Sequence, residues 1–105
     1  MISFIPHFDL GGVMSRTKED QALANALALR YQNGEAQALG ELYSLLIPYM
    51  VHKAQCSGAG DEAWDIAHDA FLRVSSRIAD KSNPTSIDNV LAYATTATHR
   101  LTLNL

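Results

Sequence analysis

The chain has 105 residues, of which 48% are hydrophobic, and its formal net charge is −3 at pH 7. This composition is typical of one globular domain with a modest core, and the acidic balance argues against strong non-specific binding to duplex DNA, which needs clustered Lys and Arg. No apolar run approaches the roughly 18 residues that span a bilayer, and the single cysteine, Cys56, excludes an internal disulfide. We therefore expect a cytoplasmic protein.

Residues 1–15 are interpreted as an N-terminal leader or an arm packed onto the rest of the chain. The segment is mildly apolar but has no basic residue before its apolar part, so it does not match a secretory signal. Residues 16–105 carry helical patterns, without the alternation that is typical of strands. Turn-forming "NG", "SGAG" and "KSNPTS" divide them into four segments. The predicted fold class is all-α, a compact bundle of about four helices.

The first two predicted helices span about residues 17–32 and 35–56. Thr17 and Asp20 form a weak capping box at the start of the first helix. The second helix is apolar on more than one side, which predicts a central element packed by several neighbours. Because Pro48 lacks a backbone N–H, we expect it to kink or split this helix.

The third predicted helix begins at Asp61, its expected N-cap, and ends at about Ala79. At 100° per residue, one face is apolar and should build the core: Ala63, Ile66, Ala67, Ala70, Phe71, Val74 and Ile78. The opposite face carries aspartates four residues apart, a histidine beside them and a leucine: Asp61, Asp65, His68, Asp69 and Leu72. A solvated acidic face explains this pattern. A docking surface explains it as well, with the aspartates meeting a basic partner helix and Leu72 as the apolar anchor.

The fourth predicted helix starts at Ser86 or Ile87, with Ser86 as its cap, and runs to the end of the chain. Opposite its apolar stripe lie Asn89, Tyr93, Thr96, Arg100 and Leu103. Tyr93 and Arg100 share one face, and both side-chain types can stack on exposed bases. An ordinary wet face is the simpler interpretation of the same residues. Because no stop signal ends this helix, we expect the chain to be a fragment or domain of a longer protein.

Other chemistries have weaker support in the sequence. His52 and Cys56 are four residues apart, as a thiol and imidazole pair could be, but a helical cysteine is more often a packing residue. Asp65, His68 and Asp69 offer metal ligands, although the sequence shows no further ligand or supporting partner. No glycine-rich phosphate loop follows a strand. We therefore predict a protein that is not an enzyme and has no metal and no cofactor.

Three stretches of the sequence, in order, carry a family resemblance. "NGEAQALGELYSLLIPYM" is similar to G-(D/E)-x-x-A-(F/L)-x-x-L-Y-x-x-x-x-P, and "DIAHDAFLRV" is similar to D-x-x-Q-(D/E)-x-F-L-R. "NVLAYATTATHRLTLNL" is similar to the helix that follows. Together they resemble the second conserved region of bacterial RNA polymerase sigma factors, of the extracytoplasmic-function type. The resemblance implies a sigma region 2-like helical domain at residues 16–105, without the family's C-terminal DNA-binding domain.

The resemblance implies two binding surfaces for transcription initiation. Core RNA polymerase would be bound at the clamp helices of its largest subunit by six residues: Asp61, Asp65, His68, Asp69, Leu72 and Arg73. Promoter DNA, mainly the single-stranded minus-ten element, would be recognised and melted by the loop before the last helix and by that helix: Lys81, Ser82, Asn83, Thr85, Ser86, Asn89, Tyr93, Thr96 and Arg100. An anti-sigma factor is a further implied partner, and no membrane is implied.

Three positions depart from the family pattern. His68 stands where the family has Gln, and Arg100 and Asn104 stand where it has Asn and Asp. Docking on polymerase is therefore better supported than promoter recognition. The alternative is a degenerate sigma-like interaction module that binds polymerase or an anti-sigma factor without recognising DNA. Because histidine side chains change charge between about pH 5 and 8, docking through His68 is expected to depend on pH.

Overall fold

A computed structural model describes residues 9–80 and 89–104, with side chains from residue 17 onward. This part of the chain contains no strand and folds into four α-helices: α1 (Asp9–Gln32), α2 (Gln37–Cys56), α3 (Ala63–Ala79) and α4 (Val90–Leu103). A 3-10 turn, Gly60–Glu62, precedes α3. The predicted all-α bundle of about four helices is confirmed.

Helix starts are where the structure departs most from the sequence prediction. Residues 9–15, part of the predicted leader, are helical, so Thr17 lies inside α1 rather than at its cap. Asp61, the predicted N-cap of α3, lies inside the 3-10 turn, and Glu62 at the cap position accepts no side-chain capping bond. The backbone replaces that cap, because the Ala63 N–H already donates to the Gly60 carbonyl.

The fourth helix is capped by a residue that the prediction placed inside it. The Asn89 side chain accepts a hydrogen bond from the Ala92 N–H at 3.1 Å, and α4 begins at Val90. The predicted start at Ser86 or Ile87 lies outside the described residues. In α2, Pro48 is exposed and the helix runs unbroken from Gln37 to Cys56, so the predicted split does not occur.

The core lies between all four helices and follows the predicted face of α3. Every residue assigned to that face is buried: Ala63, Ile66, Ala67, Ala70, Phe71, Val74 and Ile78. Helix α2 packs against each of the other three and is buried on two sides, through Leu42 and Leu46 on one and Ile47 and Val51 on another. The prediction of a central second helix is confirmed. Two buried threonines of α4 stay hydrogen-bonded, since Thr98 and Thr102 donate to carbonyls one turn back at 2.8 and 2.9 Å.

Polar bonds fix how the helices sit against one another. The Tyr49 hydroxyl on α2 donates to the Asp20 carboxylate on α1 at 2.5 Å. Asn25 on α1 accepts from the Val90 N–H at 2.9 Å, which ties α1 to the first turn of α4. Together with the apolar core, these bonds set the position of α4 and of its outward face.

The turn between α1 and α2 is closed by a glycine and an ion pair. Gly34 has a φ of 102°, a left-handed conformation that favours glycine. Beyond it, Arg30 donates through Nε to the Glu35 carboxylate at 2.6 Å. This hydrogen bond, with smaller contributions from the charges of Glu35 and Glu41, raises the pKa of the Arg30 guanidinium. Gly34 and the ion pair thereby fix the turn through which α1 and α2 come into contact.

Candidate functional site

The docking face consists of Asp61, Asp65, His68, Asp69 and Leu72, the outward residues at the start and middle of α3. All five side chains are exposed, because the opposite side of the helix is fixed in the core. Asp61 belongs to the 3-10 turn and the other four to α3. Carboxylates at the first turns of a helix are stabilised by its dipole, which offsets their mutual repulsion. The structure therefore brings the five predicted residues together on one surface.

Two large apolar side chains stand out on the same surface. Leu72 is 63% exposed and Trp64 is 55% exposed. Single exposed leucines are ordinary on a protein surface. Here, however, Leu72 borders the α2–α3 groove, a hollow of about 350 Å³ lined by Leu39, Gly40, Tyr43, His68, Phe71 and Leu72. The lining is mainly apolar and aromatic, so the docking face combines an acidic edge with an apolar hollow.

His68 is the junction between the acidic edge and the groove. Its Nε2 and the Tyr43 hydroxyl share a hydrogen bond, whose direction depends on the histidine tautomer. The ring of Tyr43 also lies 5.0 Å from that of Phe71, edge to face, and the Trp64 ring lies 6.0 Å from that of His68. An aromatic row thus crosses from α3 to α2. Sequence reasoning placed Tyr43 only in the motif of α2, although an aromatic on a partly buried face is the kind of residue that lines such grooves.

Arg73 lies at the far edge of the docking face and points along α3. Its Nη2 is 3.5 Å from Oδ2 of Asp69, one turn back, and both side chains are more than half exposed. Exposed pairs of this spacing contribute about 0.3–0.5 kcal/mol. Arg73 also lines the hollows between α3 and α4. The predicted docking residue therefore belongs to two surfaces.

The predicted nucleic-acid residues divide into three groups: residues on α4, the residue that caps it, and the loop before it. Tyr93, Thr96 and Arg100 are exposed and line one hollow beside α3. Asn89 is exposed but uses its side-chain oxygen to cap α4, which leaves its amide N–H groups to bind elsewhere. Five predicted loop residues lie outside the described residues: Lys81, Ser82, Asn83, Thr85 and Ser86.

The structure also brings together the thiol and imidazole weighed from the sequence. The Cys56 sulfur lies 3.4 Å from Nε2 of His52, and both side chains are exposed at the end of α2. Nearby, the Ser57 hydroxyl and Nδ1 of His99 are 2.7 Å apart. Within residues 9–80 and 89–104, no group of three His, Cys, Asp or Glu side chains is arranged to hold a metal ion.

No protein-family model matches this chain, and neither a curated protein nor a solved structure matches it. None of the helices in the described part of the chain has the length and hydrophobicity that a transmembrane span requires. The site is therefore interpreted from its own geometry.

Proposed function

We propose that this domain is a non-enzymatic transcription-initiation module that docks on core RNA polymerase in the manner of a sigma factor. The docking face and the α2–α3 groove would receive a basic helical element of the polymerase, the clamp helices in the family that the sequence resembles. The exposed face of α4 would then meet the separated minus-ten strand. Such a protein acts by placing partners beside each other, without a chemical step of its own.

The observation that carries this proposal is the exposure of Leu72 and Trp64 beside three aspartates and an apolar groove. Apolar anchors in a hollow supply affinity, whereas the charges around them supply orientation and association rate. Leu72 is 63% exposed and lines the hollow, so it stands where such an anchor would be needed. The acidic edge favours a basic partner, and the length of α3 favours a helix lying along it.

The proposed contact with DNA has narrower support. Tyr93 and Arg100 are exposed and line the same hollow, where an unpaired base could stack on either. Because flipping or unpairing a base costs a few kcal/mol, one tyrosine and one arginine would need polymerase to help in opening the duplex. The net charge of −3 fits a contact that forms only beside a larger partner.

The test is direct binding of the purified domain to core RNA polymerase. We expect Asp65→Lys to weaken binding severalfold, with most of the loss in the association rate and a weaker dependence on salt. Asp69→Lys should act similarly, although it also disturbs the pair with Arg73. Glu19→Lys on α1 is the matched control, since Glu19 is exposed and the charge change is the same. Unchanged binding by both aspartate variants would exclude docking through this face.

A second candidate function is an interaction module that binds polymerase or an anti-sigma factor without recognising DNA. The acidic net charge favours it, as do Arg100 and Asn104 in place of the family's Asn and Asp. The two candidates differ in one measurement, the binding of single-stranded minus-ten DNA in the presence of core enzyme. Sequence-selective binding supports the initiation module, and its absence supports the interaction module.

A further inference from the structure

A furrow runs between α3 and α4, next to the docking face, and Leu72 lines both this furrow and the α2–α3 groove. It consists of two hollows of about 470 and 250 Å³, and both are lined by Arg73 and Tyr93, so that they join. Arg77 lines the first hollow and Arg100 lines the second. Since α3 and α4 pack against each other and the two hollows share Arg73 and Tyr93, the lining residues form one continuous path, which we call the α3–α4 furrow.

The α3–α4 furrow is cationic in a protein that is acidic overall. Three of the five arginines in the sequence line it, namely Arg73, Arg77 and Arg100, whereas one carboxylate, Asp80, does so. The three aspartates of the docking face, Asp61, Asp65 and Asp69, line neither hollow. The Arg73 pair with Asp69 does not remove Arg73 from the furrow, because an exposed pair is easily exchanged.

An exposed aromatic ring lies between these arginines. Tyr93 is 41% exposed and lines both hollows. Thr96 and Asn104 add hydrogen-bonding groups in the second hollow. A path of cations with an aromatic side chain set into it is the arrangement that binds single-stranded nucleic acid, where phosphates meet the cations and bases stack on the ring.

We propose that the α3–α4 furrow binds a single strand of nucleic acid, with phosphates on Arg73, Arg77 and Arg100 and an unpaired base stacked on Tyr93. The proposal rests on the proposed function, in which nucleic acid is the second partner of the domain after polymerase. It deepens that function by adding two arginines of α3 to a contact otherwise assigned to α4 and the loop before it. Arg77 has no role in docking, which makes it the cleanest probe.

A single strand fits the furrow better than a duplex or an acidic peptide. The Tyr93 ring can stack only on a base that is unpaired, and the acidic docking face beside the furrow would repel the second strand of a duplex. From Tyr93 to Asn104 the furrow follows α4 for about 16 Å at 1.5 Å per residue. That length suits a few nucleotides, at the lower end of the roughly 4–16 that compact modules cover. An acidic peptide would use the arginines and leave the ring without a stacking partner.

The experiment is fluorescence anisotropy of the whole chain with a labelled DNA single strand of about 12 nucleotides, at several salt concentrations. Arg77→Gln and Arg100→Gln should each weaken binding severalfold at low salt and reduce the salt slope by about 0.7. Tyr93→Ala should weaken binding about tenfold with the slope unchanged, because stacking does not release counterions. Lys18→Gln is the matched control, since Lys18 is an exposed cation on α1. Circular dichroism confirms that each variant is folded.

The inference is overturned if the unaltered chain does not bind the strand at low salt, or if it binds a duplex of the same sequence equally well. It is also overturned if the arginine variants behave like Lys18→Gln. The fourth contrary result is a poly-glutamate peptide that binds as tightly as the strand and whose binding Tyr93→Ala does not affect. The proposed function is tested apart from this, by polymerase binding of Asp65→Lys. Loss of strand binding with intact polymerase docking rejects the furrow alone. Intact strand binding without polymerase docking rejects the proposed function and keeps the furrow.

Discussion

Replacing Leu72 with alanine removes the most exposed large apolar side chain of α3 while leaving the core untouched. Burying a leucine side chain completely is worth about 1.5–3 kcal/mol. Leu72 is 63% exposed, so a partner can cover at most that fraction, or about 1–2 kcal/mol. Alanine retains part of this contact. The expected loss on docking is therefore about 1–1.5 kcal/mol, which is a five- to twelvefold weaker affinity for core RNA polymerase.

The same substitution should hardly change folding stability. Surface changes away from caps and networks alter the free energy of unfolding by about 0.5 kcal/mol or less. The assay is therefore paired: titration of labelled domain with core polymerase, and urea unfolding of the free domain. Leu29→Ala is the control, because Leu29 is 49% exposed on α1. A fall in stability above about 1 kcal/mol with unchanged affinity, or an equal loss of affinity for Leu29→Ala, would refute the docking argument.

Three other predictions concern single side chains. Tyr49→Phe removes a 2.5 Å hydrogen bond to the Asp20 carboxylate and should lower the free energy of unfolding by about 1–2 kcal/mol, measured by urea denaturation. Gly34→Ala should lower the midpoint of thermal unfolding, because the φ of Gly34 is 102°. Gly40→Ala inside α2 should raise the midpoint, because alanine reduces the conformational entropy of the unfolded chain. Neither added methyl meets an atom within 4 Å. His68→Ala should weaken polymerase binding, because it removes the hydrogen bond with the Tyr43 hydroxyl that joins the acidic edge to the α2–α3 groove. An affinity of His68→Ala equal to that of the unaltered chain, measured in the same titration, would contradict this role.

The fold could be predicted from the sequence wherever the pattern of apolar residues along one helix was sufficient. The apolar face of α3 needs only a period of 3.6 residues, and each of its predicted core residues is buried. Helix starts were harder, because they depend on competing local bonds. Asp61 is a strong capping residue, but the turn before α3 satisfied the backbone by itself. Asn89 is an equally good cap, and it was overlooked because the apolar pattern seemed to begin earlier.

The candidate site was predictable only as far as it lay on one helix. That Leu72 and the aspartates face outward follows from the geometry of α3 alone. The bond between His68 and Tyr43 joins residues on two helices, so it depends on how α2 and α3 are staggered. The α3–α4 furrow also joins residues of two helices, since Arg77 lines it from α3 and Tyr93 lines it from α4. Side-chain periodicity shows on which face of its helix a residue lies. It does not show which residue of a packed neighbouring helix that side chain contacts.

Helix α3 lies between an acidic surface and a cationic one, and two features join them. Leu72 lines both the α2–α3 groove and the α3–α4 furrow, and the Asp69–Arg73 pair crosses from one surface to the other. A basic partner that bound Asp69 would release Arg73 toward the furrow, so docking and strand binding would favour each other reciprocally. An exposed pair is worth about 0.3–0.5 kcal/mol, which limits this coupling to about twofold. Any stronger cooperativity between polymerase and strand must therefore come from contacts that the polymerase itself makes with the nucleic acid.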